Sequence, residues 1–122
     1  MHFQCRAAWF EPVEGCYYSV GIHPWKVLEA GPEDWTTLEK AVCHPSVLAI
    51  GEAGLDRLGP ADILLQKEVF VRQILLSESV GKPLVIHCVK AFNELIELKK
   101  KYRRRCLGWY MVSVIICILP AG

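Results

Sequence analysis

Short apolar runs alternate with helical patterns along this chain, and that alternation narrows its fold more than anything else in the sequence. Tyr17-Tyr18-Ser19-Val20-Gly21-Ile22, Ser46-Val47-Leu48-Ala49-Ile50 and Pro83-Leu84-Val85-Ile86 are each β-prone and bounded by Gly, Pro or a charged residue, as buried strands are. A helix is predicted over 32–42, where Pro32, Glu33 and Asp34 suit the first turn and Trp35, Leu38 and Val42 form the buried side. A longer helix is predicted from Pro60-Ala61-Asp62. Ile63, Gln66, Phe70, Gln73, Ile74 and Ser77 step along one side of it, Gly81 supplies the C-terminal cap, and Pro83 blocks continuation. A third is predicted over 91–102, with Phe92, Leu95, Ile96 and Leu98 apolar and Lys99, Lys100 and Lys101 near its negative end. Strand and helix in threefold alternation predict a parallel sheet with crossover helices. Uninterrupted apolar strands predict a sheet covered on both faces.

With 122 residues the chain forms one domain at most. That is about half of a (β/α)8 barrel, which needs roughly 250 residues. An apolar fraction of 52% with a net charge of +1 excludes a disordered chain. The same balance leaves nucleic-acid contact to a local patch, not to overall charge. Cysteines stand at 5, 16, 43, 88, 106 and 117 without a C-x-x-C pair, which argues against a zinc ribbon or a redox motif. Residues 1–10 contain His2, Gln4 and Arg6 and lack an apolar signal core. Free thiols in a cytoplasmic protein are therefore expected. No internal repeat or linker interrupts the chain, and its single composition break follows Tyr102.

Polar residues recur where the apolar runs end. The first run leads into His23-Pro24-Trp25, the second into Gly51-Glu52-Ala53-Gly54-Leu55-Asp56, and the third into His87-Cys88-Val89-Lys90. In parallel α/β folds such strand ends meet at one rim, where sites are built. Two imidazoles and a carboxylate there have the chemistry to bind a divalent metal. Each residue also has a plainer reading. A single His after an apolar run is more often a packed or hydrogen-bonded side chain than a ligand. Glu52, Gly51 and Gly54 suit a tight turn, and Asp56 suits the orientation of a loop. Recurrence at three successive strand ends favours the site.

The motifs resemble those of the TatD-type metal-dependent hydrolases. Gly21-Ile22-His23-Pro24 resembles that family's G-x-H-P segment, and residues 51–56 its G-E-x-G-L-D segment. Gln66, Phe70 and Gln73 fit its Q-x-x-x-F-x-x-Q helix, and Lys82-Pro83-Leu84-Val85-Ile86-His87 its K-P-L-x-I-H strand. All four stand in order and in register over residues 17–102. The resemblance implies a partial (β/α)8 barrel of about three to four βα units and phosphodiester hydrolysis, with DNA as substrate. It implies Mg2+, Zn2+ or Mn2+ as cofactor, two ions in the full-length family. Glu52 and His87 are implied as metal ligands, His23 and Lys90 as residues that support the ligands or contact the substrate phosphate, and Gly51, Gly54 and Asp56 as loop residues. No catalytic residue is assigned. The family's opening His-x-His is represented only by His2, and its later H-G-F histidine and barrel-strand Asp have no counterpart here. Two ligands are fewer than a tight site uses, so a truncated chain with little activity is expected. A non-catalytic remnant or interaction module of the same fold is one alternative, and a small membrane-anchored protein is another.

The expected domain is 1–105, followed by an apolar tail, 106–122. That tail follows a basic run, residues 99–105. It is short for a membrane anchor, which needs about 20 residues, so no membrane partner is favoured. A buried strand is a second reading and an out-of-frame translation a third. Joining each codon's third base to the next two, Trp109-Tyr110 gives Val, Tyr110-Met111 gives His or Tyr, and Met111-Val112 gives Gly. Neighbouring codons permit P-W-V-V-H-G-F-R, which resembles the family's next strand.

Overall fold

A computed structural model describes residues 2–4, 12–102 and 108–115; for 2–4 and 110–115 only the backbone enters the description. Among the described residues five parallel strands lie in chain order: β1 (His2–Gln4), β2 (Tyr18–Gly21), β3 (Val47–Asp56), β4 (Leu84–Val89) and β5 (Trp109–Ile115). Three α-helices connect them: α1 (Pro32–Ala41) between β2 and β3, α2 (Ile63–Val80) between β3 and β4, and α3 (Phe92–Tyr102) after β4. From β2 onward each strand pairs with its chain neighbour across a helix, as in a (β/α)8 barrel, and the chain is a partial barrel of that kind.

The helices begin and end where local chemistry places them. In α1, Pro32 occupies the first turn and the Gly31 amide donates to Asp34 Oδ2 at 2.9 Å. At its far end the Lys82 ammonium donates to the carbonyls of Val42, at 2.5 Å, and His44, at 3.0 Å, a cation on the negative pole of the helix. Asp62 caps α2 through the Leu64 amide, and Gly81 closes it in the left-handed conformation at φ +67°, which glycine adopts without cost. Both ends agree with the sequence reading.

The core lies between the sheet and the apolar sides of α1 and α2. Val20, Ile22, Leu38, Ile50, Phe70, Ile74, Leu84 and Ile86 are fully buried in it or nearly so. Phe70 meets the Trp109 ring edge-on at 5.6 Å, joining β5 to this packing.

Three features depart from expectation. The second strand does not stop at Ile50 but runs on to Asp56, so Gly51, Glu52, Gly54 and Asp56 belong to a strand and not to a loop. A strand also stands at His2–Gln4, beside β2, ahead of the first one that the sequence marks. Within the apolar tail, Trp109–Ile115 is the fifth strand of the sheet. The sheet therefore continues past residue 105. Among the described residues no helix is long and apolar enough to cross a membrane. The His2 side chain, Cys5, Cys106, Cys117 and residues 103–105 lie outside the described residues.

Candidate metal centre

Glu52 owes its direction to a break in register. Gly51 pairs with Val85 and Ala53 with Ile86, so Glu52 is an extra residue with no partner on β4. A bulge of this kind re-aims one side chain while the strand continues on either side. The flanking glycines allow the close approach this requires. A Cβ on Gly51 would run into the Val85 carbonyl, and one on Gly54, at φ +152°, into that of His87.

His87 lies inside β4, opposite Gly54, and is 7% exposed. Its Nδ1 stands 3.6 Å from Glu52 Oε1. Its Nε2 stands 2.8 Å from Asp56 Oδ2. Residues 52 and 87 thus face each other from adjacent parallel strands.

His23 joins them. It follows β2 and caps a short 3-10 turn, Pro24–Lys26, its Nδ1 accepting the Trp25 amide at 3.1 Å. Its ring centroid lies 4.3 Å from that of His87. One ligand atom each from His23, Glu52 and His87 lies within 4.8 Å of the others. A residue expected to serve around the metal thus stands with the two expected to hold it. With Nδ1 engaged by the turn, a metal would meet His23 through Nε2.

Lys90 is exposed, adopts φ +54°, and lies between β4 and α3.

Asp56 is buried, at 1% exposure, and does more than orient a loop. Oδ1 accepts the Leu58 amide at 2.8 Å, which is the loop contact expected of it. Oδ2 accepts the Trp25 indole N–H at 2.5 Å and faces His87 Nε2. Burial alone would raise this carboxyl, but its hydrogen bonds with His87, the Trp25 indole and the Leu58 amide outweigh that and hold it below the usual carboxylate range.

Two further residues build the site without touching it. Gln66 and Gln73, on one face of α2, are fully buried. Gln73 Oε1 accepts the Ile22 amide at 2.8 Å, and its Nε2 donates to the Ile22 carbonyl at 3.1 Å. Gln66 does the same for Asp56, at 2.7 and 2.8 Å. Each glutamine mimics a neighbouring strand for a backbone segment at the rim. The sequence shows both on an otherwise apolar face, and two amides placed among Phe70 and Ile74 are the signal that they satisfy buried groups.

The family described as TatD related DNase matches residues 4–115. The chain belongs to the TatD related DNase family. It is 34% identical over 104 residues to the uncharacterized metal-dependent hydrolase YabD of Bacillus subtilis, covering 83% of this chain and 40% of that protein. It is 31% identical over 94 residues to the 3'-5' ssDNA/RNA exonuclease TatD of Edwardsiella piscicida, covering 76% and 36%. With the human 3'-5' RNA nuclease TATDN2 the identity is 38% over 84 residues, covering 67% and 11%. The chain thus spans two fifths or less of these relatives. A crystal structure of YjjV, a TatD homolog from Escherichia coli, superposes with a TM-score of 0.66 at 24% identity, covering 70% of this chain and 34% of that one. That likeness confirms the TatD fold.

Proposed function

We propose that this TatD-family chain supplies part of a metal-dependent nuclease site, with His23, Glu52 and His87 holding a divalent cation and nucleic-acid phosphodiesters as substrate. The observation that carries this reading is the convergence of those three side chains within 4.8 Å. Two ligands on one ion at about 2.0–2.2 Å each stand roughly 3–3.5 Å apart, close to the 3.6 Å between His87 Nδ1 and Glu52 Oε1. Two imidazoles and one carboxylate suit Zn2+, and the carboxylate suits Mg2+ or Mn2+. Three protein ligands also leave a coordination position for water, as catalytic sites do. The nuclease names of the Edwardsiella and human relatives support the substrate class.

When bound, such an ion polarises a phosphoryl oxygen and acidifies a water. The protein's share is orientation. Gln73 fixes Ile22 and hence the approach of His23. The bulge turns Glu52 to His87. Lys90, exposed beyond β4, meets the substrate phosphate. A second ion belongs to the ligand positions that resemblance leaves without a counterpart here, so turnover by this chain alone is slow. We place the protein in the cytoplasm, in keeping with free thiols at Cys16, Cys43 and Cys88. We also retain an out-of-frame origin for the stretch after residue 105; sequencing the coding DNA through this stretch decides it.

The test is hydrolysis of single-stranded DNA and RNA oligonucleotides with Zn2+, Mn2+ or Mg2+ added. Slow cleavage that chelator abolishes and Glu52→Gln removes supports the proposal. Metal binding without any cleavage leaves a non-catalytic module, and cleavage unaffected by chelator overturns the metal-dependent reading.

A further inference from the structure

We infer that Asp56 is a positioning residue that holds the His87 proton on Nε2 and so presents the Nδ1 lone pair to the Glu52–His23 side of the cluster. Three groups converge on this one buried carboxylate. The Trp25 indole N–H reaches Oδ2 at 2.5 Å and the Leu58 amide reaches Oδ1 at 2.8 Å. Both are donors and nothing else. Each oxygen accepts from a donor-only group, the arrangement that favours an ionised carboxylate. The 2.8 Å contact between His87 Nε2 and Oδ2 is then one in which the imidazole donates.

A neutral imidazole has one N–H. Placing it on Nε2 makes Nδ1 the acceptor, and Nδ1 is the atom 3.6 Å from Glu52 Oε1. That separation is too long for a hydrogen bond and close to the spacing of two ligands on one ion. Two electron-pair donors facing each other at this spacing suit a cation between them, so fixing the proton on Nε2 prepares the gap for a metal. Metal-binding histidines commonly donate their second N–H to a carboxylate in this way.

The indole adds a link to the surface. Trp25 is 53% exposed although its N–H is tied to the same oxygen that holds His87. The ring is therefore fixed at the rim by the group that fixes the ligand. The metal-facing part of this inference rests on the proposed function; the location of the proton does not.

Nitrogen-15 NMR of the imidazoles in the metal-free 122-residue chain at about pH 8, where an unperturbed imidazole is neutral, separates the two. The expected result is a His87 ring protonated on Nε2 alone, with the Trp25 indole proton in a slowly exchanging hydrogen bond. Asp56→Ala is expected to give a mixture of both tautomers and to lower zinc affinity about 10- to 100-fold. A wild-type His87 protonated on Nδ1, or on both nitrogens, overturns the inference. So does an Asp56→Ala ring that keeps the proton on Nε2. Should that variant not fold, the wild-type assignment decides alone. Failure of the wild-type chain to bind zinc removes the metal reading, while the nitrogen-15 pattern still decides the role of Asp56.

Discussion

Replacing Gln73 by Leu tests how the rim is held. The substitution keeps most of the side-chain volume within α2 but removes both contacts to Ile22, the amide at 2.8 Å and the carbonyl at 3.1 Å. Ile22 is 2% exposed, so water does not replace them. A buried polar group left without its partner costs about 1–3 kcal/mol, and a carbonyl suffers less than an amide. The two together should lower stability by about 2–4 kcal/mol. For a chain of this length that is a fall in Tm of roughly 10 °C. Urea unfolding of wild type and variant measures it as a shift in midpoint at unchanged slope. Gln73→Glu sharpens the test. Its carboxylate still accepts the Ile22 amide but turns a second oxygen on the Ile22 carbonyl, and protonation restores a donor there. Its destabilisation should therefore shrink as pH falls through the carboxyl range. A Leu variant within about 0.5 kcal/mol of wild type, the size of an ordinary surface change, would refute the claim that Gln73 holds the His23 segment.

Other outcomes follow from the same geometry. Gly54→Ala should abolish cooperative folding, because its methyl would meet the His87 carbonyl at φ +152°; circular dichroism during thermal melting reads this, and a native-like melt contradicts it. Under native conditions Cys43, exposed on the surface, should be alkylated by iodoacetamide well before Cys88. Burial and the Asp56 charge raise the Cys88 thiol against the backbone bond from Ala91 that lowers it, so peptide mass mapping should find Cys88 modified only after unfolding. Asp56 titrates below its unfolded value. Its contribution to stability is complete above about pH 4 and is lost as pH falls through the lowered folded value. Asp56→Asn should thus flatten the acid limb of the stability profile below pH ~4, and an unchanged limb tells against the hydrogen-bond account.

The elements were legible because their signals are local. Pro32 with two acids, Asp62 before an apolar run, and Gly81 ahead of Pro83 set helix ends through chemistry within a turn, and the structure keeps those ends nearly unchanged. That polar residues gather at one rim was legible from position, since consecutive parallel strands bring their ends together; the choice of Glu52 and His87 among them came from the family resemblance. The course of β3 was not. Glycine is depleted in strands, so residues 51–56 read as a loop. Their glycines instead permit a tight approach of β3 to β4. The bulge at Glu52 is a property of register between two strands and has no counterpart in either one. The shared oxygen of Asp56 was hidden for a similar reason: Trp25 and His87 each lie 31 residues from it in sequence. His23 joined the ligand cluster only once the 3-10 turn had set its ring against His87.

Titration of the metal-free chain with Co2+, followed by visible absorption, tests the proposed metal site most directly. The three side chains that meet within 4.8 Å should bind one ion per chain and give the intense absorption of a low-coordinate centre. Glu52→Ala and His87→Ala should each remove that signal while the fold is retained. Saturable binding with the same spectrum in both variants, or no binding by the wild-type chain, would contradict the account.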